Sequence, residues 1–285
     1  MARADETPRT PPVIRDRGSG RPILLLHGFP LDSRSFDRLE HLLLREGFRV
    51  ITFDQHGFDD PFCPLGPRKR YSPSRLADDA AAVLSRLKVG GAVVVGHDLG
   101  GLVALELARR HPQITSASLL VSMAHPLATT IAMLNPRQLA GSAYVLLAQS
   151  SLVITALYSP HRSASRRRLE RRLLKSGLPK DAVASSLDRM AIGCAFHHAV
   201  RWYQGLPFAS LRSLCPRRSG RYALLWGQDD SVLGRAAMRM SLAMLPPGTM
   251  LQEVRYGSHW LPLDRPEAIV DAVRSVSQSV SESSL

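Results

Sequence analysis

Hydrophobic positions along this chain follow two rhythms. Short apolar runs at Pro22–Leu26, Phe48–Phe53, Ala92–Val95, Ala117–Val121, Tyr222–Trp226 and Met250–Val254 are bounded by turn-forming residues and predict strands. Between most of them, apolar residues recur every three or four positions, the spacing of helices with one buried face. Near-continuous apolar strands alternating with such helices predict an α/β fold, a mostly parallel sheet flanked by helices on both faces. The alternation stops after His125-Pro126. Helical periodicity then continues through Ala128–Met133, Gln138–Tyr158, Ser163–Ser176, Lys180–Met190 and Cys194–Tyr203. An inserted all-helical cap is therefore expected over 127–216, with a core assembled from 21–126 and 217–276. An insertion at that point would roof the strand ends, where open α/β sheets bind ligands. Residues 1–20, polar and rich in Pro, Arg and Thr, are expected to be unstructured, and the serine-rich 277–285 to fray.

Composition changes this picture little. The 285 residues are 45% hydrophobic and 21% charged, which suits one large core. No segment has the apolar length of a signal peptide or a bilayer span, so a cytoplasmic location is expected. Three scattered cysteines, Cys63, Cys194 and Cys215, suit neither a disulfide framework nor a zinc site. The net charge of +13 raises a nucleic acid or an anionic membrane surface as partners. No nucleic-acid-binding motif accompanies it, and a membrane surface is the weaker expectation of a partner. The densest basic run, Arg166-Arg167-Arg168-Leu169-Glu170-Arg171-Arg172, reads as a solvated helix face.

The chemistry begins at Ala92-Val93-Val94-Val95-Gly96-His97-Asp98-Leu99-Gly100-Gly101, where an apolar strand enters a Gly-x-Asp-x-Gly turn and then a helix. This resembles the nucleophile elbow of the α/β-hydrolases, with aspartate where serine is usual. A carboxylate is ionised near neutral pH and attacks without first losing a proton, which suits displacement at saturated carbon. The product is an ester on the enzyme, and a second step must hydrolyse it with activated water. His27-Gly28-Phe29-Pro30 follows the first strand, where this fold places an oxyanion-hole donor, so the backbone N–H groups of Phe29 and Leu99 are candidates to converge on one oxygen. Of ten histidines, His259 in Tyr256-Gly257-Ser258-His259-Trp260 lies just past the last strand, the expected place of the base. His97 should point away from the nucleophile, and His197-His198 should be structural. Trp226-Gly227-Gln228-Asp229-Asp230 offers the orienting acid. The Trp-Gly-x-x-Asp pattern selects Asp230, and Leu119-Leu120-Val121-Ser122-Met123 offers no competing carboxylate.

From about Arg21 to Val276 the chain resembles the α/β-hydrolase-fold epoxide hydrolases, a group that also contains haloalkane and haloacetate dehalogenases. His27-Gly28-Phe29-Pro30, Asp54-Gln55-His56-Gly57-Phe58, the elbow, His125-Pro126, Trp226 to Asp230 and Gly257-Ser258-His259-Trp260 carry the resemblance. It implies two cap tyrosines that donate to an epoxide oxygen. Tyr203, in Arg201-Trp202-Tyr203-Gln204, is similar to one, and Tyr144, with Gln149 five residues on, resembles the other. Leu99 departs from the tryptophan or arginine by which dehalogenases bind halide or haloacetate, and His56 departs from a common arginine. The expectation is an epoxide hydrolase (EC 3.3.2.-) acting on a small hydrophobic epoxide with water, using Asp98, His259, Asp230, Tyr203 and Tyr144 and no cofactor or metal. Its rivals are a dehalogenase with the same nucleophile, marked by halide release from haloalkanes or haloacetate, and a non-catalytic ligand-binding member of the fold, indifferent to Asp98→Ala.

Overall fold

A computed structural model describes residues 12–134, 143–209, 212, 215 and 219–282. Seven strands form one sheet: β1 (Ile14–Arg17), β2 (Pro22–Leu26), β3 (Arg49–Phe53), β4 (Ala92–His97), β5 (Thr115–Val121), β6 (Tyr222–Gly227) and β7 (Met250–Val254). They lie in the order β1-β3-β2-β4-β5-β6-β7. Only the β1–β3 pair is antiparallel. The helices outside the cap are α1 (Asp37–Arg45), α2 (Pro73–Arg86) and α3 (Leu99–Arg110) before it, and α9 (Arg235–Ala243), α10 (Leu261–Asp264) and α11 (Pro266–Glu282) after it.

The period of two along each strand sorts side chains into two cores. Ile23, Leu25, Val50, Val93 and Val95 meet Leu39 and Leu43 of α1 and Ile269 and Val273 of α11. Leu24, Leu26, Ile51, Phe53 and Val94 meet Leu76 and Ala80 of α2, Val103 and Leu107 of α3, and Met238 of α9. Burying each such aliphatic side chain contributes roughly 1.5–3 kcal/mol before conformational entropy is set against it.

Two expectations at the chain ends are corrected. Residues 14–17, inside the segment expected to be unstructured, form β1, and two of its four residues are exposed. An edge strand with one solvated side carries no long apolar run, and Ile14-Arg15-Asp16-Arg17 is held instead by backbone pairing to β3 and by Arg49 on Asp16. At the other end α11 continues to Glu282, so the helix takes in much of the segment expected to fray. Ile269, Val273 and Val276 recur at the four- and three-residue steps of one helical face, and their burial anchors α11 ahead of its serine-rich end.

The cap lies between β5 and β6. It contains α4 (Pro126–Ala132), a helical segment over 143–147, α5 (Ser151–Tyr158), α6 (Ser163–Lys175), α7 (Lys180–Met190) and α8 (Ala195–Gly205). The helix expected over Gln138–Tyr158 is interrupted before Ser151, and its first residues lie outside those described. Ile154, Leu169, Leu173, Val183, Leu187, Phe196 and Val200 form a third core, which Leu31 and Trp260 join from below. Polar contacts fix the cap to the sheet domain. Arg189 of α7 pairs with Asp32 and Asp54 and donates to the Phe58 carbonyl. In α8, Trp202 Nε1 donates to the His56 carbonyl at 2.8 Å, and His198 accepts from the Tyr71 hydroxyl at 2.7 Å through Nδ1 while its Nε2 donates to the Cys63 carbonyl at 2.9 Å.

Candidate active site

The elbow sits between β4 and α3 near the middle of the sheet. Asp98 has φ 51° and ψ −122°, a conformation costly for any residue with a Cβ, of order 1–3 kcal/mol. Two close approaches hold it there. A Cβ on Gly96 would lie 2.4 Å from the Gly100 carbonyl oxygen, and one on Gly100 would lie 2.2 Å from that of Leu26. Only glycine lets the helix start so close to the strand ends. The Asp98 N–H donates to the Val121 carbonyl at 3.1 Å and its own carbonyl accepts from Gly101 N at 2.9 Å, so both sides of the turn are tied down.

Phe29 is positioned by a buried histidine. His27 Nε2 accepts from the Gln55 N–H at 3.1 Å, and the Gln55 side-chain amide donates to the His27 carbonyl at 2.7 Å. This lock brings the Phe29 N–H to 3.2 Å from Asp98 Oδ2, where it donates to the carboxylate. Leu99, the other expected donor, is the first residue of α3, so its N–H belongs to the unpaired first turn of the helix.

The loops after β6 and β7 bring in the other two groups. Asp230 Oδ1 accepts from Val232 N and Leu233 N, both at 2.8 Å, and Oδ2 lies 2.9 Å from His259 Nδ1. Its side chain is fully buried, whereas its neighbour Asp229 is exposed, as the spacing predicts. His259 Nε2 lies 3.7 Å from Asp98 Oδ1. Burial by itself lowers the His259 pKa. The charge and hydrogen bond of Asp230, with those of Asp98, overcome that and raise it to about 10. The two flanking carboxyl groups therefore favour the protonated imidazole.

His97 does turn away from the cavity, yet it has a task that sequence reasoning missed. Its Nε2 donates to the backbone carbonyl of His259 at 2.9 Å. Burial, and then the charge on His259, lower its pKa to about 4, so it is a neutral strut at working pH. The residue before Asp98 thus props the loop that carries His259. His198 is structural, as expected, and His197 packs against Phe196.

Above these groups lies a cavity of about 420 Å³, whose walls include Phe29, Ile154, Leu169, Phe196, Val200 and Trp260. Both expected tyrosines reach it. Their rings meet edge to face with centroids 5.4 Å apart, and Phe29 packs on Tyr203 at 5.3 Å. Gln149 Nε2 donates to the Tyr203 carbonyl at 2.9 Å, which ties the two tyrosine-bearing segments together. Burial raises the Tyr144 pKa to about 12, with the Asp98 charge adding to it, and raises that of Tyr203 well above its ordinary value. Both phenols stay protonated and can donate. Leu99 and His56 do not line this cavity; His56 packs against Tyr71 beneath the cap.

The arrangement has the parts for a two-stage displacement: a carboxylate on a strained turn, two cap phenols lining the same cavity, and a histidine–aspartate pair beside it. The Bacillus subtilis (strain 168) AB hydrolase superfamily protein YfhM is 27% identical over 258 residues, covering 89% of this chain and 88% of that protein. Epoxide hydrolase 3 of Xenopus tropicalis is 27% identical over 266 residues, 88% of this chain and 70% of the relative. Among solved structures, an epoxide hydrolase of Bacillus megaterium bound to an inhibitor is similar over 94% of this chain and 96% of that one, with a TM-score of 0.75 at 20% identity. Residues 23–272, which include the elbow, both acids and the histidine, match the sequence profile of the Alpha/beta hydrolase family, and the chain belongs to that family.

Proposed function

We propose that the protein hydrolyses epoxides to vicinal diols through an ester on Asp98. The observation that carries this reading is the pair of cap tyrosines, whose rings meet and which line the same cavity as the elbow carboxylate. In the first stage an Asp98 oxygen forms a bond to an oxirane carbon as the ring C–O bond breaks. Tyr144 and Tyr203 donate hydrogen bonds to the departing oxygen. The proton that turns the alkoxide into a hydroxyl comes in the end from the His259 imidazolium, relayed through the site, which leaves His259 neutral.

In the second stage neutral His259, oriented by Asp230, takes a proton from water as the water oxygen attacks the ester carbonyl. The donors for the oxyanion are the N–H of Phe29, which already donates to Asp98 Oδ2, and that of Leu99 at the start of α3. Collapse releases the diol and restores the carboxylate and the imidazolium, so protons balance over the cycle. A small hydrophobic epoxide suits the aromatic and aliphatic walls.

One turnover in heavy-oxygen water, with enzyme in excess over a small aromatic epoxide, tests this. The peptide containing Asp98 should gain the label while the diol keeps light oxygen. Label in the diol on the first turnover, with none in Asp98, would leave Asp98 as a general base and end the ester mechanism.

A further inference from the structure

The basic run Arg166 to Arg172 is not uniformly solvated. Arg167, Arg168 and Arg171 are exposed, while Arg172 is half-buried and lines the cavity on the same face of α6 as Leu169, Leu173 and Ser176. The spacing 169, 172, 173, 176 is that of one helical face, so the core contacts of Leu169 and Leu173 aim Arg172 inward. Its guanidinium carbon lies 4.4 Å from the centre of the Tyr144 ring, within the range of a cation–π contact. The ring so covered is the one that meets Tyr203 edge to face.

Resting on the epoxide reading above, we propose that Arg172 is a positioning residue for ring opening: it clamps the Tyr144 ring against Tyr203 and holds a fixed positive charge beside the oxygen where negative charge develops. The direction of charge movement gives the reason. Before reaction the negative charge is on Asp98, next to His259. In the transition state it moves across the cavity toward the tyrosines, away from the imidazolium and toward Arg172. A cation at that end stabilises the transition state more than the ground state, which is the condition for raising a rate. The phenols need such help, because burial and the nearby Asp98 charge oppose charge on them, and Arg172 acts in the opposite sense on both. The groups facing Tyr144 are Arg172 from α6, Tyr203 from α8, and Asp98 and Asp230 from the sheet domain. The other cation of the cap wall, Lys175, is exposed at its rim.

Arg172→Gln and Arg172→Lys test the proposal by rapid mixing, which separates ester formation from ester hydrolysis. Arg172→Gln should slow ester formation about tenfold to a hundredfold and leave hydrolysis within about twofold of the parent, since the second stage uses His259 and the backbone donors. Arg172→Lys, which keeps the charge without the flat guanidinium, should recover part of the loss. In a Tyr144→Phe background, Arg172→Gln should add little. Ultraviolet titration should show phenolate formation in the folded protein moving to higher pH in Arg172→Gln. That shift should be smaller in the Tyr144→Phe background, where only Tyr203 is left to respond to the Arg172 charge.

Unchanged ester formation, equal slowing of both stages, or the same loss with and without the Tyr144 hydroxyl would each overturn the proposal. If the parent protein opens no epoxide, the reading of its function fails. The phenol titration, which needs no substrate, then overturns the Arg172–Tyr144 coupling if the midpoint is unmoved.

Discussion

Replacing Asp98 by asparagine keeps the shape of the side chain and removes its charge, as esterification would. Asp98 and His259 stand 3.7 Å apart, with side chains 18% and 2% exposed. At that separation and an effective dielectric of about 20, the attraction is roughly 4 kcal/mol, a factor of about a thousand in the proton affinity of the imidazole. With both carboxylates in place, His259 titrates near 10. Asp98→Asn should move its midpoint by that thousandfold toward the ordinary imidazole range, with Asp230 left to oppose burial. Titration of the imidazole signals by nuclear magnetic resonance, in the parent and in Asp98→Asn, measures the difference directly. The linkage has a definite sign. Because the folded protein raises the pKa, the stability contributed by this ion cluster is complete below about pH 6.5 and is lost as the pH climbs toward 10. Chemical denaturation across that window should show the decline in the parent and a smaller one in Asp98→Asn. Equal midpoints in the two proteins, or an imidazole in the parent that titrates at its ordinary value, would refute the argument that ester formation itself turns a resting acid into a base.

Other changes follow from the same geometry. His259→Gln should permit ester formation but slow release about 10²–10⁴-fold, so intact mass should reveal protein carrying one alkyl group after exposure to epoxide; rapid turnover without an adduct would contradict the assignment. Gly100→Ala forces a methyl group to within 2.2 Å of the Leu26 carbonyl oxygen, so denaturant titration should show a loss of about 2–3 kcal/mol, and an unshifted midpoint would show that the elbow is loose. Arg189→Met leaves Asp32 and Asp54 facing each other beneath the cap. Arg34 still pairs with the buried Asp32, and Asp54 is partly exposed, which discounts the cost to about 2 kcal/mol, read as faster proteolysis of the cap in the variant, and parental resistance to protease would mean that the latch is dispensable.

The parts legible from sequence are those whose geometry is local or set by the sheet. The elbow is fixed by close approaches at Gly96, Gly100 and Gly101, and Asp230 and His259 follow strands that apolar runs mark. Tyr203 and Tyr144 come from resemblance, and their edge-to-face meeting depends on how α8 and residues 143–147 rotate over the sheet. Three features have no such signal. His97 holds the base through a backbone carbonyl 162 residues away. Arg172 sits among arginines that are solvated, Arg189 is the single arginine of α7, and only the packing of these helices gives either its inward contacts. β1 is hidden for a related reason: its residues are held by partners on β3 rather than by their own hydrophobicity.

The chain divides its candidate chemistry between separately packed parts. Asp98, Asp230 and His259 are set by the sheet and its two cores, with His97 joining the Asp98 turn to the His259 loop inside that unit. Tyr144, Tyr203 and Arg172 stand on the third core, built mostly by the cap and joined to the sheet domain through Leu31 and Trp260 as well as through polar contacts. Under the proposed function, residues that would select the molecule opened can drift with the cap while those that would cleave the ester stay with the sheet. Exchanging the whole insert, from the end of β5 to the start of β6, would alter what is accepted without rebuilding how the product is let go.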